Sequence, residues 1–282
     1  MSKWWTKSWN PTTGCSKISE ACDHCYAERM ARRFAGRAGY PGGKDYFKPT
    51  FHPHRLEEPF KWKKAGRIFV GNMGDIFHDD VPDSFLDEIF FPAYVLADQQ
   101  WFFLTKRVDR MVEYLSRKSR LGPNVFLGVT AETQAWADRR ISELMRVRES
   151  QKDVNFFVSV EPMLGPVDLT GSYGVIGRAG SPRIEAIDAT GMWMPKLDWV
   201  ICGGETGPGA RPMELIWARS LRDQCAAAEV PFFFKQLGYA SSMPDHYFLK
   251  HGKEAARLLD GKLWNEFPET RTGEMRSRIQ GD

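Results

Sequence analysis

The sequence predicts an α/β protein, a TIM-like parallel β/α barrel, partial or complete, of about six to seven strands with a hairpin insertion. Three observations predict it. Short apolar segments recur along the chain with helical stretches between them, and polar residues gather immediately after those segments. The 282 residues, 42% hydrophobic and 27% charged, suffice for one barrel or two smaller domains.

A first strand is expected around Trp5–Asn10. It is followed by Arg67–Asn72 (RIFVGN), Gln100–Thr105 (QWFFLT), Val125–Thr130 (VFLGVT), Asn155–Val160 (NFFVSV), Trp199–Cys202 (WVIC) and Pro231–Gln236 (PFFFKQ). Each is short, rich in aromatic or β-branched residues and too continuous to keep one face wet, the pattern of a parallel strand covered on both sides. Ser84–Leu96 and Ala135–Arg148 carry helical periodicity, with Asp83 and Thr133 as caps. Such alternation wraps, by the right-handed crossover rule, into a barrel or an open doubly wound sheet.

Two regions break the rhythm. Residues 35–64 form a long connection with Gly42-Gly43 and the cluster His52-Pro53-His54-Arg55, the kind of loop that serves as a lid or touches substrate. Residues 171–196, with Gly174, Gly177, Gly180, Pro182 and an alternating RIEAID run, read as the hairpin insertion. The expected organisation is a barrel over residues 1–240 and a C-terminal extension over 241–282 that ends in a polar tail, 269–282.

After the strands come Gly71-Asn72-Met73-Gly74-Asp75, Thr105-Lys106-Arg107, Thr130-Ala131-Glu132-Thr133, Ser159-Val160-Glu161-Pro162, Gly203-Gly204-Glu205-Thr206 and Lys235-Gln236. In a parallel barrel these carboxyl ends share one rim, where active sites are built. At one strand end a Glu or Lys is often a cap or a surface pair; six consecutive polar strand ends favour a site.

Charge and cysteine usage narrow the function classes. A formal charge of +3 is too small to announce a nucleic-acid binder, and the cluster Arg107, Arg110, Arg117, Lys118, Arg120 is either a basic face or a solvated helix face. No apolar run approaches the roughly 20 residues of a membrane span, and Met1–Asn10 is aromatic and polar where a secretory signal would be apolar. A cytoplasmic protein without membrane partners is expected. Three of the five cysteines lie between Cys15 and Cys25, while Cys202 and Cys225 stand apart as expected buried thiols. Clustered thiols without a disulfide framework favour a metal.

The three-cysteine loop, residues 9–34, reads WNPTTGCSKISEACDHCYAERMARRF, with six residues between Cys15 and Cys22 and two between Cys22 and Cys25. Strong helix formers follow Cys25, so the last thiol opens a helix whose N-terminus favours the thiolate. Three thiolates on one loop can hold three irons of a [4Fe-4S] cluster and leave the fourth open. Zinc is the other reading, with His52, His54 or His78 as a distant fourth ligand. Spacing alone leaves both standing.

The chain resembles the radical S-adenosylmethionine (SAM) superfamily, in which three cysteines follow the first strand of a partial or complete TIM barrel. More closely it is similar to a bacteriophage and prophage family of radical SAM-like proteins. The match is carried by WNPTTGC (Trp9–Cys15), CDHCYAERM (Cys22–Met30), GDIFHDDVP (Gly74–Pro82), VEP (Val160–Pro162) and GGE (Gly203–Glu205). The gap between the first two cysteines is six residues where three are usual, and His24 stands where an aromatic commonly precedes the third.

The resemblance implies an enzyme that uses a [4Fe-4S] cluster, held by Cys15, Cys22 and Cys25, to cleave SAM and abstract hydrogen from a substrate. It implies that Asn72, Gly74 and Asp75 meet the methionyl amino group, that Thr130 and Glu132 serve the ribose hydroxyls with Ser159 and Glu161 nearby, and that Glu205 serves the adenine side or the substrate. It also implies an electron donor, flavodoxin- or ferredoxin-like. Lys106, Arg107 and Lys235 on the rim either bind an anionic substrate, a nucleotide or nucleic acid, or balance Asp75, Glu132, Glu161 and Glu205. The alternative function is a non-catalytic iron-sulfur or zinc-stabilised nucleic-acid-binding protein. Trp4, Trp5, Trp9, Trp62 and Trp101 suit base stacking or a buried core.

Overall fold

The computed structural model describes residues 3–170, 186–187, 193–194, 197–238 and 256–268. Seven strands form one sheet: β1 (Lys7–Trp9), β2 (Arg67–Val70), β3 (Gln100–Thr105), β4 (Val125–Thr130), β5 (Asn155–Val160), β6 (Trp199–Gly203) and β7 (Phe232–Gln236). Their order in the sheet is their order in the chain, and the sheet is all-parallel. A doubly wound sheet reverses its order at a switch point, and here no reversal occurs. The winding is that of a β/α barrel, partial at seven strands, as predicted. Every position of β4 and β5 is buried, as a parallel sheet covered on both faces demands.

Helices occupy five of the six connections among the described residues, all but that between β5 and β6: α1 (Tyr26–Phe34), α2 (Asp83–Val95), α3 (Val108–Leu115), α4 (Gln134–Ser150) and α5 (Leu215–Ala227). Within the expected insertion, Ala186–Ile187 pairs antiparallel with Trp193–Met194; the rest of 171–196, like the polar tail 269–282, lies outside the described residues. Helix α2 starts at Asp83 rather than being capped by it. Pro82 is its N-cap, and the Asp83 carboxylate instead takes Arg110 and Arg117.

The chain divides into two compact units. In the first, residues 5–128 with 149–155, the register Lys7 to Ile68 and Arg67 to Gln100 brings the carboxyl ends of β1, β2 and β3 to one end of the sheet. Its core is aromatic: Phe90 stacks on Phe103 and Phe102 on Phe126, each with ring centroids 4.3 Å apart. Trp9 packs edge-on against Trp101, and both are buried.

In the second unit, Trp199 pairs in register with Phe157, and Val200 with Phe232. Trp4, Phe157, Phe233 and Phe267 surround Trp199. The register shifts at Cys202–Gly203, which re-aims the chain where polar residues begin. Residues 256–268 run along the outer edge of β7: Phe234 N donates to Trp264 O, Glu266 N to Phe232 O and Leu237 N to Ala256 O, with Phe233 bridging Asn265 antiparallel. Main-chain groups of β7 that would otherwise face outward are thereby paired. Cys202 and Cys225 are fully buried, and burial pushes both thiols up, in keeping with a packing role.

Candidate metal centre

The three cysteines lie on one loop between β1 and α1. Thr12–Thr13 pairs antiparallel with Thr50–Phe51, and Gly14 then bridges Gly74 in parallel fashion. Gly14 N donates to Met73 O and Cys15 N to Phe47 O, both at 2.9 Å. Gly14 takes φ +83°, and a Cβ on it would meet Lys48 O at 2.2 Å; one on Gly74 would meet Gly14 O at 2.6 Å. Only glycine fits this crossing, which delivers Cys15 to the carboxyl end of β2. Cys22 closes a 3-10 turn, Glu20–Cys22, with its amide on Ser19 O. Cys25 is the N-cap of α1, at the point where the loop enters the helix. All three are free, half-buried thiols. Among the described residues, no three His, Cys, Asp or Glu side chains converge as the ligands of a single ion do.

Cys15 is tied into a polar network. Arg107 Nη1 donates to Cys15 Sγ at 3.2 Å and to Asp75 Oδ2 at 3.4 Å, while Nη2 donates to Ser16 O at 2.9 Å and Ser16 Oγ at 2.8 Å. The Asp75 carboxylate also accepts the Thr105 hydroxyl at 2.8 Å, the Phe77 amide at 3.0 Å and the Lys106 amide at 3.3 Å. Ser16 Oγ lies 2.8 Å from His78 Nε2, and His78 Nδ1 accepts the Asp80 amide at 3.1 Å. With Nδ1 an acceptor, the neutral ring carries its proton on Nε2 and donates it to Ser16. Burial, and secondarily the Asp75 charge, push the Cys15 thiol up to about 12, against the pull of Arg107.

The other sequence-derived residues fall as follows. Asn72, at the end of β2, accepts the Tyr26 hydroxyl on its main-chain oxygen, while its buried Oδ1 has no hydrogen-bond partner among the described residues. In the second unit, Glu132 is 0% and Arg140 1% exposed and they pair at 2.7 Å; Arg140 also donates to Thr130 O and lies 3.9 Å from the centroid of the Trp136 ring. Ser159 is buried, and its carbonyl accepts the Ala131 amide. Glu161 accepts Lys235 Nζ and, at 3.0 Å, Gln236 Nε2. Glu205 is gripped by Arg211 through two side-chain contacts, at 2.6 and 3.0 Å. Arg107 and Lys235 thus both hold carboxylates, while Lys106 meets Asp75 through its backbone amide. Ser16, Arg140 and Arg211 were not singled out from the sequence; the acidic residues Glu132 and Glu205 just after strand ends, which call for a cation, were the available signal for the two arginines. Of the tryptophans, Trp4, Trp9 and Trp101 are core, and Trp5 and Trp62 are half-buried.

His52 anchors the long connection to the start of the cysteine loop: its Nε2 lies 2.8 Å from Thr13 Oγ1, and its amide donates to Pro11 O at 2.8 Å. Burial, followed by the charges of Arg55 and His54, lowers its pKa to about 4. The folded state therefore binds fewer protons than the unfolded chain between about 6.5 and that value, so this contribution is present above about pH 6.5 and is lost as pH falls toward 4. The melting temperature of the wild type is expected to drop through that window more steeply than that of His52→Gln. Parallel slopes in calorimetric scans would refute the assignment.

Residues 2–268 match the model of a family described as Protein of unknown function (DUF5131). No curated protein and no solved structure matches. No helix among the described residues is long and apolar enough to cross a membrane.

Proposed function

The chain belongs to the DUF5131 family, and for it we propose a radical SAM-type enzyme, akin to the phage and prophage radical SAM-like proteins, that works on a nucleotide or DNA base with electrons from a flavodoxin- or ferredoxin-like donor. The observation that carries this reading is the placement of three half-buried thiols on one loop between the first strand and first helix of a partial parallel barrel. That donor set suits iron-sulfur ligation, in which soft thiolates bind separate irons. The ligands of one cluster need not converge on a point, as those of one zinc must. Five free cysteines fit a reducing, cytoplasmic setting.

When bound, a [4Fe-4S] cluster and SAM supply one-electron carbon-sulfur cleavage and a radical that takes hydrogen from substrate. The chain's residues supply the holding. Cys15, Cys22 and Cys25 would each bind one iron. Asn72 Oδ1, a buried acceptor without a described partner, fits the ammonium of SAM, because a buried oxygen left unpaired costs free energy that a charged donor recovers. Asp75, whose oxygens already accept four donors, orients Arg107 and the β3 end instead. Gly74 keeps the crossing close.

Anaerobic reconstitution with iron and sulfide, reduction with dithionite and addition of SAM tests the proposal: 5′-deoxyadenosine is expected. A stable cluster that yields none, with or without nucleic acid, leaves the non-catalytic binding protein as the reading. Asn72→Ala is expected to weaken SAM binding about tenfold, one charge-assisted hydrogen bond of ~1.5 kcal/mol, with iron content unchanged. Equal affinities by calorimetric titration would remove Asn72 from the site.

A further inference from the structure

We propose that Arg107 is a positioning residue that sets the reduction potential of the cluster through its hydrogen bond to Cys15; the inference rests on the cluster reading above. The guanidinium is fixed from several sides. Nη2 is held by the Ser16 carbonyl and hydroxyl, Nη1 by Asp75, and the Arg107 amide by Thr105 Oγ1 at 2.8 Å. Thr105 in turn donates its hydroxyl to both oxygens of Asp75. What remains of Nη1 points at Cys15 Sγ, 3.2 Å away.

Arginine suits this arrangement because its rigid fork reaches sulfur, hydroxyl and carboxylate at once, which one ammonium does not. Hydrogen bonds to cluster sulfurs and net charge are the levers that set iron-sulfur potentials. A cationic N–H donor on a ligating thiolate draws electron density from it and favours the reduced, more negative cluster, so it raises the potential. Asp75 offsets the charge while leaving the donor in place, so the effect is carried by the directed N–H. The same arrangement places the cationic donor on Cys15, whereas Cys22 shares a longer, neutral hydrogen bond with the Ser19 hydroxyl at 3.9 Å and Cys25 opens α1.

The test is an EPR-monitored redox titration of the full chain, reconstituted anaerobically and reduced with dithionite. Arg107→Lys keeps the charge and loses the fork. Arg107→Gln with Asp75→Asn removes both buried charges, so neither is left unpaired. Both are expected to shift the midpoint negative by at least a tenfold change in the one-electron equilibrium, 59 mV, with wild-type iron content. Ser16→Ala, which removes one acceptor of Nη2 and touches neither charge, is expected to give a smaller shift of the same sign, and it decides the matter where the other variants lose cluster. A wild-type cluster whose midpoint is unmoved in these variants overturns the role of Arg107 alone. A wild-type protein that takes up no cluster overturns the proposed function and this inference with it.

Discussion

Replacement of Cys15, Cys22 or Cys25 by Ala is expected to reduce bound iron and sulfide in the reconstituted protein to background. Each thiol would serve a different iron, and the loop offers no spare one: the two remaining cysteines, Cys202 and Cys225, are fully buried in the second unit, one in β6 and one in α5. A cluster on two thiolates lacks the ligands that retain it. Cys202→Ala and Cys225→Ala, by contrast, are expected to keep wild-type iron content and to cost only the modest destabilisation of a small buried deletion. Iron and sulfide assays with visible absorption settle both. Retention of full iron by the Cys22 variant, or its loss in the Cys225 variant, would overturn the ligand assignment.

The largest expected effect on stability is at Glu132 and Arg140. Both are essentially inaccessible to solvent and pair at 2.7 Å, and Arg140 also reaches Thr130 O across the end of β4. Arg140→Met leaves a carboxylate in the interior without its cation, a cost of about 3–5 kcal/mol. The single change Glu132→Gln leaves the arginine uncompensated and is expected to destabilise as well. The double variant, with neither charge, is expected to recover most of the loss, because the desolvation penalty of both ions disappears along with their attraction. Urea midpoints of the four proteins give the coupling. A double variant as unstable as the sum of the singles would show that Glu132 and Arg140 act independently.

How much was legible in the sequence depended on how local the cause was. The bounds of β3, β4 and β5 follow from apolar runs that admit no wet face. The first strand, expected at Trp5–Asn10, spans Lys7–Trp9, since it pairs only where β2 lies beside it and burial alternates along it. Helix α1 and the place of Cys25 at its start were readable from helix formers. Partner choice was not. Arg107 meets Asp75 across 32 positions because β2 and β3 lie side by side, and Arg140 meets Glu132 because α4 folds back past the end of β4. Six of the seven strand ends show a charge in the sequence; only the fold shows which opposite charge each one faces. The run 256–268 along β7 was likewise unreadable, as two short strands, Leu258–Leu259 and Lys262–Leu263, carry too little periodicity to declare themselves.

That run has a consequence for how the protein is made. During synthesis β7 leaves the ribosome before residues 256–268 do, so a nascent chain halted between them presents the main-chain groups of Phe232, Phe234 and Leu237 unpaired, beside a strand of three consecutive phenylalanines. Such an edge recruits strands from other chains. Premature termination in this stretch is therefore more damaging to solubility than loss of the same number of surface residues elsewhere. The segment 256–268 acts, in the order of translation, as the seal on the last strand of the seven-stranded sheet.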